Sequence, residues 1–211
     1  LNNFLRFFLL CIGTILMIEI VQYNLDVRNI IYNTLAEQLT DKQVQRYFEF
    51  QDNLLWVRYA IICIVLLIKT IVIAAILDIG IFFAFKNKPI IGFIQLWVFV
   101  INAEFVFLLT GILKICWFFF FQTNYKLEDI INFYPLSALN IVGYKDLNNW
   151  FIYPLQTINL FELAYCLILS YSISKAIKVT MDKGFIIVVS SYGLSLLIWV
   201  VAVMFFNLNM N

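Results

Sequence analysis

Long apolar runs separated by shorter mixed segments set the pattern of this chain. Five such runs cover roughly 4–23, 55–85, 90–121, 151–171 and 185–206. A helix rises ~1.5 Å per residue and the hydrocarbon core of a bilayer is about 30 Å thick, so ~20 apolar residues suffice to cross it. The pattern therefore predicts an all-α, polytopic integral membrane protein, with about five transmembrane helices forming a single membrane domain over 1–211. The second and third runs are longer than a crossing needs. They are expected to tilt or project as one long helical hairpin, closed by the turn "KNKP" at Lys86–Pro89. Pro89 suits the first turn of the third helix, where its missing N–H is no loss. The first run has Arg6 ahead of its apolar core, as a signal peptide would, but no small-residue cleavage site follows. It is read as a retained span.

Two connections are longer. The segment 24–54 contains "LTDKQVQRYFEFQDN", in which Thr40 and Gln43 have capping-box spacing and Val44, Tyr47 and Phe48 fall on one helical face. A short amphipathic helix is expected over about 40–53. The segment 122–150 is punctuated by Pro135 and Gly143, yet it carries Ile130, Ile131, Phe133, Leu136 and Leu139. It is too apolar for a free loop and is expected to fold back, partly structured, onto the protein or the membrane interface.

Composition agrees with the pattern and narrows the function. The chain is 64% hydrophobic and 13% charged, against about 25% charged in soluble domains. Its net charge of +1 offers no basic surface for nucleic acid. With no histidine, the Ser-His-Asp and Cys-His arrangements and the His-Glu-x-x-His zinc motif are all excluded. Cys11, Cys63, Cys116 and Cys166 lie in four different apolar runs without close spacing, which fits small buried hydrophobes and not a metal site. No phosphate-binding glycine loop occurs. No catalytic residue, metal site or cofactor is therefore expected, and the chain is read as a non-enzyme.

Lysine and arginine bias sets orientation. Arg6, Lys86, Lys88, Lys175, Lys178 and Lys183 fall on one side with only Asp182 opposing them. Arg28, Lys42, Arg46, Lys126 and Lys145 fall on the other, diluted by acids that include Asp41, Asp52, Asp129 and Asp146. The rule places the N-terminus in the cytoplasm and the C-terminus outside.

A few charges lie deep in the runs, where each costs something like ~2.5–3.5 kcal/mol on insertion scales and so requires a partner or a task. Lys69 precedes the Lys86 end of the turn by 17 residues and Glu104 follows Lys88 by 16. In an antiparallel hairpin the two are level and are expected to pair. Asp78 and Gln95 are level in the same way, but nine residues along a helix is ~900° of rotation. If Lys69 meets Glu104, then Asp78 and Gln95 look toward other helices. Glu162 is the remaining deep acid. Glu19 and Lys114 lie nearer span ends and are expected to reach the headgroups. Asp78, Gln95, Glu104 and Glu162 could line an ion or proton path, or could serve as hydrogen-bonded links between helices. In the last run, Ser191 and Ser195 flank Gly193 with small-xxx-small spacing, a pattern that lets helix backbones pack closely.

Several segments carry a resemblance. "TDKQVQRYFEFQDN" precedes a long second span, then come "FYPLSALNIVG", "YPLQTINLFELAYCLILSYSISKAIKV" and a final span beginning "GFIIVVSSYGLSLLIWV". This order resembles bacterial members of the Yip (Ypt-interacting protein) family of five-span membrane proteins, over about Leu39 to Phe206, most tellingly at Pro135–Ser137 and Asn159–Phe161. The resemblance implies a cytoplasmic N-terminus and a scaffolding role. The GTPase-binding region of eukaryotic relatives has no counterpart before Phe4 in this sequence and is not carried over. The expected function is a scaffold, adaptor or accessory subunit of a larger membrane complex in a bacterial inner membrane. Its expected partners are the bilayer and other membrane proteins, as an oligomer or hetero-complex. The alternative is a transporter or channel component with an acidic intramembrane path.

Overall fold

The computed structural model describes residues 2–85, 91–145 and 147–210. The expected turn at Lys86–Pro89, the start of the third span at Ile90, and Asp146 lie outside the described residues. Helix α1 (Asn3–Asn24) is followed by α2 (Val27–Ala36), α3 (Asp41–Asn53) and the long α4 (Leu55–Ala84). The third span is α5 (Phe93–Glu104), a tight 3₁₀ turn at Phe105–Phe107, and α6 (Leu108–Phe120). Three short helices follow, α7 (Leu127–Asn132), α8 (Leu139–Val142) and α9 (Asn149–Thr157). The chain ends with α10 (Leu160–Ile177), α11 (Met181–Val188), a π-helical turn at Val189–Gly193 and α12 (Leu194–Met210). Five helical stretches, Asn3–Asn24, Leu55–Ala84, Phe93–Phe120, Leu160–Ile177 and Met181–Asn209, are long and apolar enough to cross a membrane.

The second to fifth spans pack around a shared apolar centre. Leu77 of α4, Leu96 and Val100 of α5, Tyr165 and Leu169 of α10 and Val188 of α11 are fully buried there. Outward faces remain apolar, as at Ile64, Ile68, Leu197 and Ile198, because hydrocarbon and not water surrounds them.

Three boundaries differ from the sequence reading. Helix α5 starts at Phe93, with Gly92 extended ahead of it, so the third span is shorter than the run beginning at 90. The connection 24–54 holds a helix, α2, that the apolar pattern did not reveal. The fourth run is not one continuous helix over 151–171. It breaks at Ile158–Asn159 and resumes as α10, which continues to Ile177.

One side chain closes that break. Asn159 Nδ2 donates to the carbonyls of Gln156 (2.9 Å) and Thr157 (3.0 Å) at the end of α9. Its Oδ1 accepts the Glu162 N–H at the start of α10 (2.8 Å). A single asparagine thus caps both helix ends, each of which would otherwise leave orphan backbone groups. The remaining groups pair with the connection. Ala138 N–H donates to Ile158 O (2.9 Å), and Leu160 N–H donates to Leu136 O (3.2 Å), where Leu136 takes a positive φ of 55°.

The segment expected to fold back does so. Phe133 stacks on Trp117 (5.3 Å) and meets Phe118 edge-on (5.2 Å), while Tyr125 packs on Phe118 (4.8 Å). At its polar edge Asp129 accepts from the Lys126 N–H (2.8 Å) and the Tyr144 hydroxyl (2.7 Å). In the first connection, Gln43 Oε1 accepts from Thr40 N–H (3.0 Å) and hydroxyl (2.8 Å) at the head of α3. Val44 and Phe48 are buried as the pattern required, but Tyr47 is exposed. Arg28 holds α2 to α3 through a bidentate bond to Asp52 (2.9 and 2.8 Å) while lying over the Phe48 ring.

The Asp129–Tyr144 contact makes docking of the connection pH-dependent. Partial burial works to raise the Asp129 pKa, but hydrogen bonds from Lys126, Tyr144 and Gln122 outweigh it and hold the carboxyl below its ordinary value. The Tyr144 hydroxyl is pushed up to about 12, first by its hydrogen bond to Asp129 and then by burial. A depressed acid stabilises above its unfolded pKa of ~3.9 and loses that as pH falls through the folded value. A raised phenol stabilises below ~10 and loses that as pH rises through the folded value. Protection from hydrogen exchange over 125–145, taken relative to the intrinsic rate at each pH, is expected to reach a plateau between these limits and to fall on both sides. Tyr144→Phe should flatten both limbs, and an unchanged profile in that variant would remove the contact from the account.

Candidate functional site

The polar residues buried between the spans form the candidate site. Lys69 of α4 donates to Glu104 Oε2 at 2.8 Å, so the hairpin pair expected from register is formed. Next to it, Trp97 Nε1 donates to the Thr70 hydroxyl at 3.0 Å, which fixes α4 and α5 in antiparallel register. The partners differ in burial. The Glu104 side chain is 3% exposed, whereas Lys69 is 41% exposed. The ammonium also lies over the Phe107 ring (4.7 Å) and farther from the Tyr165 ring (6.0 Å), both favourable for a cation. The 3₁₀ turn at Phe105–Phe107 directly follows Glu104 and brings the Phe107 ring to the ammonium.

A second group lies beside the first. Glu162, in the opening turn of α10, accepts the hydroxyl of Tyr192 from the π-helical turn. The Tyr165 ring sits between the two groups, 5.3 Å from Phe107 and 5.3 Å from Tyr192. Its hydroxyl is buried beside the Glu104 carboxylate, yet neither Tyr165 Oη nor Glu104 Oε1 makes a hydrogen bond of good geometry. Tyr134 of the connection approaches from the far side. Burial, followed by the charges of Glu162 and Glu104, pushes its hydroxyl up to about 12. Tyr165 stands one turn after Glu162 and is its neighbour by spacing, whereas Tyr134 and Tyr192 come from other elements and carry no local mark of a polar contact.

Asp78 and Gln95 do not join this cluster. Gln95 is exposed, Asp78 is half-buried, and no hydrogen bond links them among the described residues. The rotation argument separates Asp78 from Lys69 and the structure agrees, but the Asp78–Gln95 contact considered from depth alone is not made. Glu19, near the end of its span, is not alone. It pairs with Arg58 of α4, a partner the sequence reading did not assign. Lys114 instead donates to the Ile130 carbonyl of α7.

The small residues of the last span act differently from their spacing. Gly193 has only Val189 of its own turn near an added Cβ, at 3.6 Å, and so makes no close helix contact. The close approach is at Gly80 of α4, where a Cβ would stand 2.5 Å from Ser191 Cβ. Ser191 is therefore a contact residue, but its small partner lies across the interface. Ser195 donates to the Tyr192 carbonyl (2.8 Å), and Ser191 to Ile187 O (2.6 Å). Both hydroxyls bond to their own helix, a common use of serine in apolar surroundings.

Two hollows adjoin these groups. One of about 490 Å³ lies between α1, α4 and α6, reaches Lys69 and Glu104 at one end and Lys114 at the other, and is roofed by Val27, Ile130 and Ile131. The other, about 740 Å³, lies beside the helix break, with walls that include Trp117, Phe121, Phe133 and Leu160.

The asymmetry of burial gives a stability prediction. Lys69→Met strands the Glu104 carboxylate and should cost on the order of 3 kcal/mol, the low end for breaking a buried pair because Lys69 is partly exposed. Glu104→Gln should cost less, since Lys69 can turn outward, and the double variant should recover most of the loss. Denaturant unfolding in mild detergent measures all three, and equal costs for the two single variants would contradict this account. By the same method Gly80→Val should lose about 1–3 kcal/mol by overpacking against Ser191, whereas Gly193→Ala should not destabilise.

No protein-family model, curated protein or solved structure matches the chain. The Yip resemblance accordingly stays with the residues that suggested it, and the functional reading rests on the geometry above.

Proposed function

We propose that this protein is a non-enzymatic membrane scaffold or accessory subunit, of Yip type, serving a larger complex in a bacterial inner membrane with its N-terminus in the cytoplasm. One observation carries the reading. Five charged groups of the bundle, Lys69, Glu104, Glu162, Arg58 and Glu19, are closed into side-chain contacts that each bridge two elements, while among the described residues Asp78 and Lys114 make no such contact. Lys69–Glu104 links α4 to α5, Tyr192–Glu162 links the π-helical turn to α10, and Arg58–Glu19 links α4 to α1. Paired in this way, they fix helix register, as hydrogen-bonded polar residues do between transmembrane helices. Asp78 and Gln95, half of the suggested path, stand apart from them.

A second reading has its own support. Glu104 Oε1 and Tyr165 Oη are buried side by side without good hydrogen bonds. They sit near a helix break and a π-helical turn, features that recur at functional sites. An ion or proton pathway through Glu104, Tyr165 and Glu162 would use them.

Two measurements separate the readings. Purification of the tagged chain in mild detergent, with mass spectrometry of what stays bound, should yield a stoichiometric membrane partner if it is an accessory subunit. Reconstitution alone into proteoliposomes should then give no ion flux above empty vesicles. Flux that is abolished by Glu104→Gln in a folded variant would overturn the scaffold reading in favour of the pathway.

A further inference from the structure

The hollow between α1, α4 and α6 has an unbalanced charge. Two lysines, Lys69 and Lys114, and one carboxylate, Glu104, line it, which sums to a formal +1. Glu104 is 3% exposed, its Oε2 accepts from Lys69, and its Oε1 is buried, so its charge is largely spent on Lys69. Lys69 is 41% exposed. Lys114 has no acidic partner among the described residues, and its recorded bond is to the Ile130 carbonyl. Thr14 and Thr110 direct their hydroxyl protons to the carbonyls of Leu10 and Phe107. The polar groups left to meet a guest are the Gln22 carboxamide and two ammonium groups, Lys69 already bonded to Glu104 and Lys114 without an acid among the described residues. All of these can donate to an anion.

The rest of the hollow selects a chain. Glu104 and Lys114 are ten residue steps apart along the third span, or about 15 Å, and the walls along that length include Met17, Ile18, Leu66 and Leu108. The volume, about 490 Å³, falls within the ~300–1,000 Å³ usual for ligand sites. Residues flanking Lys114 on α6, Leu109, Ile112 and Leu113, are exposed and apolar, so the outer surface of α6 beside the hollow suits hydrocarbon. Lys114 stands six residues before the end of α6, within reach of headgroup depth for a long side chain.

We propose that this hollow is a binding site for an acidic phospholipid, with its phosphate on Lys114 and one acyl chain laid along the hollow bounded by α1, α4 and α6 toward Lys69. The site is independent of the scaffold reading, since either class of membrane protein could hold it.

The test uses the full chain, purified and equilibrated with equal amounts of phosphatidylglycerol and phosphatidylcholine of matched chains, followed by native mass spectrometry. Phosphatidylglycerol should be retained about fivefold over phosphatidylcholine, the factor for one lysine near an anionic headgroup. Lys114→Met should remove that preference while leaving phosphatidylcholine unchanged. Equal retention of the two lipids by the wild-type chain overturns the proposal, and so does an undiminished preference in the folded variant. Oleate retained in preference to phosphatidylglycerol would make the guest a free fatty acid and overturn the assignment to phospholipid. Displacement by inorganic phosphate alone would do the same. A phosphatidylglycerol with a photoactivatable acyl chain locates the site without any variant. Cross-links should fall on α1 near Met17, on α4 near Leu66 and on α6 near Leu108, and cross-links confined to other helices would overturn the placement.

Discussion

The Lys69–Glu104 ion pair is the interaction on which the arrangement of the spans turns. A carboxylate that is 3% exposed inside an apolar bundle is tolerable only with a cation in contact, and one hydrogen bond of 2.8 Å supplies it. That contact fixes how far α4 slides along α5, and the Thr70–Trp97 bond one residue along repeats the same register. Once the register is set, Phe107 and Tyr165 have a defined cation to face, and Tyr165 brings α10 into the same cluster. The pair is worth little as net stabilisation, because two desolvated charges nearly offset their own attraction. Its value is in excluding alternatives. A slide by one helical turn would leave Glu104 bare among aliphatic side chains.

The same logic governs the backbone. A break inside a span exposes N–H and C=O groups where no water can meet them, so the break must carry its own partners. Asn159 provides three hydrogen bonds from one side chain, and the Leu136–Ala138 strand-like stretch provides two more. The left-handed backbone at Leu136, unusual for a residue with a branched side chain, turns its carbonyl onto Leu160 N–H. The apolar connection between the third and fourth spans is thus the structural complement of the helix break, and this explains why a segment so rich in Ile, Phe and Leu is not a free loop.

What the amino-acid order could announce follows from how local each feature is. The five apolar stretches, the capping box at Thr40–Gln43 and the Lys69–Glu104 register are set by length, spacing and depth, which one dimension records. The break at Ile158–Asn159 was hidden because Pro154 is tolerated near the head of a helix and because Asn159 acts through three partners at once. The tyrosine cluster was hidden for another reason. Tyr165, Tyr192 and Tyr134 come from three separate elements, and only their packing turns them into a polar group. The small-residue motif failed in an instructive way. Ser191 was a contact residue, but its partner Gly80 lies 111 positions earlier in α4, so spacing within the last span pointed to Gly193 instead.

Two kinds of polar group therefore share this bundle, and they differ in what surrounds them. Glu104, Glu162, Tyr192 and Thr70 each hold at least one bond to a neighbouring element, and moving any of them would cost register. Lys114 is held by a single carbonyl, faces a hollow with apolar walls, and has no acid against it among the described residues. A group that fixes packing needs its partner within the protein. A cation left with only part of its bonding capacity filled, beside a hollow with mostly apolar walls, suits an anionic headgroup as its counterion. The separation between internal links and lipid-facing charge follows from burial and pairing alone, whichever partner or pathway the protein serves.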